Sequence, residues 1–256
     1  CFRLPQSRAT AGFILSVLSR GRQQKLVFLL IFGIGVALVL ESSVYASMHP
    51  ERIQVRGAPA GFESSIVSLP LTLSFFAMIG MRRVFRLPSE LPANWIFRFT
   101  EQPELRRSQL DTVFRTLVFW GGLPVLLVCA PAQFAVFGPR AVWALLMQAL
   151  LMLALAEHLL QGWRSIPFTC QQNPARRHLM LSASVHILEL ALYSFMSSNF
   201  ITAGLHDPGT YRNYFIFVLA VFIYLRRKRL REWGAAPLEF QESLTPDVQP
   251  LNLIVH

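Results

Sequence analysis

Six long apolar segments restrict what this chain of 256 residues can fold into. Each approaches the ~20 residues that an α-helix needs to cross a ~30 Å hydrocarbon layer. The segments are Leu26–Ala46, Ser64–Met81, Val113–Ala130, Ala141–Gln161, Leu179–Phe200 and Tyr211–Leu225. The alternative is buried helices of a soluble protein, but a chain with 53% hydrophobic and only 15% charged residues has little polar surface to cover them. We therefore predict an all-α fold, a polytopic transmembrane helix bundle with about six spans.

The distribution of lysine and arginine predicts the orientation of these spans. Arg115 and Arg212 lie at the starts of their segments and are counted with the connections that precede them. Of the 24 basic residues, 20 then lie before the first segment, after the second, after the fourth or after the sixth, and four lie in the other three connections. Because positively charged connections stay in the cytoplasm during insertion, we expect both termini there. The predicted organisation is a basic cytoplasmic stretch over residues 1–25, a membrane domain over residues 26–225 and a cytoplasmic tail over residues 226–256. Cys1 stands where a Met would begin a complete chain, and we expect further sequence upstream.

The formal net charge of +10 raises the question of nucleic acid binding. The basic residues form collars at helix ends, where lipid headgroups lie, rather than one face that follows a line of phosphates. We expect membrane lipids as partners and no nucleic acid. The run Arg226–Arg231 is interpreted as an anchor that stops transfer, and a lipid-specific or partner-docking surface is the alternative. The residues that would form this lipid or partner interface are Arg226, Arg227, Lys228 and Arg229.

The connection Val84–Asp111 has an unusual composition for a loop between two spans. Prolines at 88 and 92 prevent one continuous helix, and aromatic side chains alternate with charged ones after them. Trp95 is expected to contact the membrane interface, while Arg98 and Glu101 face the cytosol. Two interpretations remain: an amphipathic elbow on the inner leaflet, or a coupling element that docks a separate cytoplasmic ATPase subunit.

The fifth segment carries a stripe of polar side chains. Its members recur at spacings of four, three, four and four residues, which is one face of a helix: Ser182, His186, Glu189, Tyr193 and Ser197. Lipid does not tolerate such a face, so it should turn toward other helices or a water-filled cavity. The fourth segment places Glu157 and His158 at a similar depth. We predict that these residues of two antiparallel neighbours form a polar cluster inside the membrane.

Three roles are open for this predicted cluster. It can be a structural hydrogen-bond network between helices. It can be a proton or substrate relay in a transporter, because histidine changes charge near neutral pH. It can also hold a metal ion or haem through His158 and His186, with Glu189 or Glu157 as further ligands.

Sequence motifs add little to this choice. The chain has no GxxxxGK[ST], GxSxG, HExxH or GxGxxG pattern, and its three cysteines lack zinc-ligand spacing. We therefore predict no catalytic residue and, apart from the metal or haem alternative, no cofactor. Transport would need an ion gradient or a separate ATPase subunit, and a homo-oligomer is a further expectation.

Two stretches, PSELPANWIFRFTE (Pro88–Glu101) and RGRQQKLVFLLIFGIGVAL (Arg20–Leu38), resemble segments of uncharacterised multi-pass inner-membrane proteins of bacteria, some of them permease-like. The resemblance implies the bacterial inner membrane and further spans before Cys1, and it implies no residue roles. The functional prediction is a permease-like component of a transport system whose polar fifth-span face lines or supports the route. The alternatives are a membrane-embedded metal- or haem-dependent enzyme and a structural membrane subunit without chemistry.

Overall fold

The computed structural model describes residues 5–48, 61–87, 106–163, 165–168 and 179–235. Within these ranges the secondary structure is helical and no strand occurs, which confirms the predicted all-α class. The α-helices are α1 (Pro5–Arg20), α2 (Arg22–Met48), α3 (Gly61–Val84), α4 (Arg106–Thr116), α5 (Leu123–Phe137), α6 (Ala141–Leu159), α7 (Leu179–Leu190), α8 (Ser197–His206) and α9 (Pro208–Ala235). Two π-helical segments interrupt long helical runs: π1 (Leu117–Gly122) joins α4 to α5, and π2 (Ala191–Met196) joins α7 to α8.

Among the described residues, three continuous stretches are long and apolar enough to cross a membrane: Arg22–Val44, Glu63–Val84 and Ser108–Leu159. The third stretch contains the predicted span Val113–Ala130 and all but the last two residues of Ala141–Gln161, and it folds back on itself at a 3-10 turn over Gly138–Arg140. Gln133 Nε2 donates to Gln148 Oε1 at 3.0 Å, a contact between residues that lie on opposite sides of the turn along the chain. The helices α5 and α6 therefore form an antiparallel hairpin, and Gly138 (φ 57°) supplies the left-handed backbone at its tip.

The central element is α3, which contacts α2, α5, α6, α8 and both π-helical segments. Pro70 lies inside α3 and has no amide hydrogen, so it interrupts the helical hydrogen-bond ladder one turn earlier. At that level the buried Gln148 Nε2 donates to the Val67 carbonyl at 3.2 Å. A side chain of α6 thus supplies a hydrogen bond to the backbone of α3 where the proline disturbs it.

The outermost long helix is α2, which packs against α3. Only 6% of its most apolar window is buried, and exposed leucines run along it, such as Leu26, Leu30 and Leu40. In water this surface would be a large exposed apolar patch, whereas lipid tails would cover it at no cost. The pattern is that of a membrane helix at the edge of a bundle.

The helix ends with the most arginine meet at one end of the bundle. There the backbone amide of Phe168 donates to the Phe85 carbonyl at 2.8 Å, and Phe85, Phe168, Phe13 and Trp163 pack edge to face. The guanidinium of Arg86 lies 5.1 Å from the centre of the Trp163 ring. At the opposite end of α3, Glu63 accepts a hydrogen bond from His206 at 3.0 Å.

One described helix was not predicted. The stretch over residues 1–25 was expected only to be basic and cytoplasmic, whereas Pro5–Arg20 forms α1. Its buried residues Thr10, Ala11 and Ile14 lie on one face, and α1 packs on α4. Much of the connection over residues 84–111 falls outside the described residues, and with it the expected contacts of Trp95, Arg98 and Glu101.

Candidate functional site

The structure brings two histidines and one glutamate together between α6 and α7. Glu189 Oε1 lies 3.0 Å from His158 Nε2, and Glu189 Oε2 lies 3.0 Å from His186 Nδ1. Each carboxylate oxygen therefore has its own imidazole partner. We call His158, His186 and Glu189 the histidine–glutamate cluster.

Local helix geometry explains the contact between His186 and Glu189, whereas His158 is brought in by the packing of another helix. His186 and Glu189 are three residues apart on α7 and so lie on one face, while His158 comes from the last turn of α6. The side chains are 46% exposed at His158, 26% at His186 and 22% at Glu189, so the cluster lies at the surface of the isolated chain. The helix around it is also loosely held: Val185, Ile187 and Leu188 are exposed, and the main neighbour of α7 in the described structure is π2.

Glu157 was predicted to belong to this cluster, and the structure places it elsewhere. Consecutive residues of an α-helix point about 100° apart, so Glu157 and His158 cannot share a face. Glu157 is fully buried and binds Arg229 of α9 through both carboxylate oxygens. The contact Arg229 Nη2–Glu157 Oε1 measures 2.8 Å, and Arg229 Nε donates to Oε2.

Arg229 was predicted to lie in the headgroup region as part of a basic anchor, but it is only 1% exposed. Its guanidinium lies 3.9 Å from the centre of the Trp233 ring and 4.5 Å from that of Phe114. Paired to Glu157 and flanked by these rings, the charge is accommodated away from water. Arg229 Nη1 has no hydrogen-bond acceptor among the residues that the structure describes.

The other four basic residues of the run Arg226–Arg231 are exposed, as an anchor requires. Lys228 Nζ donates to Gln161 Oε1 at 3.1 Å, and the Arg226 guanidinium lies 6.0 Å from the centre of the Phe222 ring. Arg227 is exposed beside them. Only one of the five basic side chains thus turns into the protein.

Tyr193 also departs from the predicted stripe. A π-helix has more residues per turn than an α-helix, so π2 rotates the positions that follow Glu189. Tyr193 is buried and its hydroxyl lies 3.2 Å from Ser74 Oγ of α3, beside the Phe75 ring. Ser182 lies within α7, but its side chain is outside the described part of the chain.

A second polar region between α3 and the π2–α8 run was missed by the sequence reasoning. Thr72 Oγ1 lies 2.6 Å from Ser194 Oγ, and Ser64 Oγ lies 3.3 Å from Ser198 Oγ. A signal for it exists in the sequence, because Ser64, Ser68 and Thr72 recur every four residues and mark one helix face. Hydroxyls of this kind hold helices together in membranes.

The described residues contain no group of three or more His, Cys, Asp or Glu side chains arranged to hold a metal ion. In the histidine–glutamate cluster the imidazoles bond directly to the carboxylate, so the ligands proposed for a metal satisfy one another. The arrangement can share and move protons, because each of its three members is able to carry one.

No protein-family model matches this chain, and neither does any curated protein or solved structure.

Proposed function

We propose that this chain is a permease-like component of a transport system in the bacterial inner membrane, and that the histidine–glutamate cluster is its proton relay. The observation that carries the proposal is one carboxylate hydrogen-bonded at 3.0 Å to imidazoles from two different helices. Ionisable groups inside membrane segments are costly and are associated with proton and substrate pathways.

The membrane arrangement that we propose has six spans and both ends in the cytoplasm. Support comes from the arginine-rich ends, which gather at one end of the bundle, and from the Glu63–His206 contact at the other. The hairpin of α5 and α6 also supports two spans within the stretch Ser108–Leu159. The resemblance of Pro88–Glu101 to permease-like inner-membrane proteins agrees with this assignment.

The relay that we propose works through α7. Protonation of either imidazole turns its hydrogen bond to the Glu189 carboxylate into an ion pair, in which donor and acceptor are both charged. Protonation of Glu189 has the opposite effect and leaves the carboxyl able to accept through one oxygen only. Because α7 has few tertiary contacts besides this cluster with the parts of the chain that the structure describes, the balance between these states would move it relative to α6.

The proposal also requires that the exposed side of the cluster faces water or protein and not lipid. A carboxylate exposed to lipid is unfavourable, so water, a second copy of this chain or another subunit should face it. The sequence has no nucleotide-binding motif, and transport would draw on the proton gradient or on a separate ATPase subunit.

A pH jump on proteoliposomes tests the relay without knowledge of the substrate. Solid-supported-membrane electrophysiology should record a transient current when the outer solution is changed from about pH 8 to about pH 6, the range in which histidine titrates. The variant Glu189→Gln should lose this current, while Glu63→Gln should keep it. Glu63 is a matched control, because it also accepts a hydrogen bond from a histidine at 3.0 Å but at the other end of the bundle. An unchanged current from Glu189→Gln would refute the relay.

A further inference from the structure

A crevice opens between α1 and α2 at the arginine-rich end of the bundle. Its volume is about 680 Å³, within the usual range for ligand pockets. It exists because the two helices are held by different neighbours: α1 packs on α4, whereas α2 packs on α3. They join at Gly21, whose amide donates to the Val17 carbonyl at 2.8 Å.

The walls and floor of this α1–α2 crevice are mainly apolar. Leu15 and Leu18 come from α1 and Phe28 from α2, while Met81 of α3 and Trp120 of π1 also line it. Nothing in this set recognises a small hydrophilic molecule. An extended hydrocarbon chain fits such a surface, and the exposed indole of Trp120 is a side chain typical of the membrane interface.

Two cations line the same crevice. Arg20 ends α1 and Lys25 lies in the first turn of α2, and both are exposed. Within the described ranges neither cation is paired with a carboxylate. The hydroxyls of Ser16 and Ser19 and the amide of Gln24 border the space as well. An apolar crevice with two cations beside it is complementary to one class of molecule, an anionic phospholipid.

We propose that the α1–α2 crevice binds an anionic phospholipid, its phosphate held by Arg20 and Lys25 and an acyl chain lying on Phe28, Met81 and Trp120. Arginine offers a planar set of donors that matches phosphate, and lysine adds a compact charge. Basic pockets between membrane helices on the cytoplasmic side bind anionic headgroups by this chemistry. The inference rests on the membrane placement of this end of the bundle and not on the proton relay.

Native mass spectrometry of the detergent-solubilised protein tests the site. Phosphatidylglycerol, phosphatidylcholine and inorganic phosphate are added in turn, and the number of molecules retained is counted. The unmodified protein should retain at least one more phosphatidylglycerol than phosphatidylcholine, and inorganic phosphate should not compete. The double variant Arg20→Gln/Lys25→Gln should lose that additional lipid. The control Arg227→Gln/Lys228→Gln removes the same charge from exposed positions outside the crevice and should keep it.

A second variant tests the apolar part while leaving both charges in place. Gly12 lines the crevice, and a Cβ there would meet nothing within 4 Å, so Gly12→Phe should fold and fill the space. It should also lose the additional phosphatidylglycerol. Equal lipid retention by the crevice variants and the control would overturn the proposal in favour of diffuse charge attraction. Equal binding of phosphatidylcholine would indicate an unselective acyl groove, and competition by phosphate a site for a free anion. Either result would also overturn it.

Discussion

The buried pair of Glu157 and Arg229 gives the sharpest prediction about stability. Replacing Arg229 by Gln would leave the Glu157 carboxylate fully buried without a counter-charge. Removing one partner of a buried ion pair costs about 3–5 kcal/mol, because the remaining charge is not solvated. The lost contacts with Trp233 (3.9 Å) and Phe114 (4.5 Å) act in the same direction. We therefore expect Arg229→Gln to lower the free energy of unfolding by about 3–5 kcal/mol.

The neighbouring residue supplies a matched control. Lys228→Gln removes the same charge one position away, but Lys228 is exposed and its Nζ donates to Gln161 Oε1 at 3.1 Å. An exposed interaction of this kind contributes at most about 1 kcal/mol. Both variants are to be unfolded by titration with SDS in mixed micelles, with helix content followed by circular dichroism. If Arg229→Gln unfolds at the same SDS fraction as Lys228→Gln, the buried pair does not stabilise the fold.

A double variant separates pairing from simple loss of charge. Glu157→Leu combined with Arg229→Met replaces both charges with apolar side chains of similar length. Replacing a buried ion pair by apolar residues often leaves the stability of a protein unchanged or raises it. The double variant should therefore be more stable than Arg229→Gln by about 2 kcal/mol or more. A double variant no more stable than Arg229→Gln would contradict the view that an unpaired buried carboxylate causes the loss.

Two further predictions concern other parts of the fold. Gly35→Ala should destabilise the protein by about 1–3 kcal/mol, because its Cβ would lie 2.8 Å from Phe76 Cβ and force α2 away from α3. A Cβ at Gly33 meets nothing within 4 Å, and alanine favours a helix over glycine, so Gly33→Ala should be neutral or stabilising. SDS unfolding distinguishes the two variants. Asp207 caps α9, and hydrogen bonds from the Thr210 hydroxyl and the backbone amides of residues 209 and 210 lower its pKa. The stability that ionised Asp207 contributes to the folded state is fully present above the pKa of an unfolded aspartate, about 3.9. It is lost as the pH falls through the lower pKa of the folded state. Thermal unfolding of Asp207→Ala should therefore differ from the unmodified protein at neutral pH, and the difference should shrink below about pH 4.

The fold class could be predicted from the sequence because membrane helices are encoded by local composition. An apolar run of sufficient length can satisfy its backbone in lipid only as a helix, so no tertiary information was needed. Five of the six predicted spans fall within a described helix or helical run, and Ala141–Gln161 extends two residues past the end of α6. The helix α1 was missed because it has no long apolar run and buries only a narrow face around Ala11 and Ile14.

The side-chain pairings were harder to predict, because they depend on helix rotation. His186 and Glu189 share a face at a spacing of three, which the sequence reveals directly. The partner of Glu157 is 72 positions away in a run of basic residues that resembles an anchor, and nothing local distinguishes Arg229 from Arg227. The π-helical segment that contains Tyr193 leaves no signature in composition, and its contact with α3 joins residues far apart in the sequence.

The central claim, an even number of spans with both ends in the cytoplasm, is tested most directly by cysteine labelling from one side of the membrane. Single cysteines are introduced at the exposed positions Gln23, Lys228, Arg140 and Asp207 after the native cysteines have been replaced by serine. In intact spheroplasts, a membrane-impermeant maleimide should label the variants at Arg140 and Asp207, while those at Gln23 and Lys228 should react only after the membrane is permeabilised. Labelling of Gln23 and Lys228 from opposite sides would require an odd number of spans and would contradict the account.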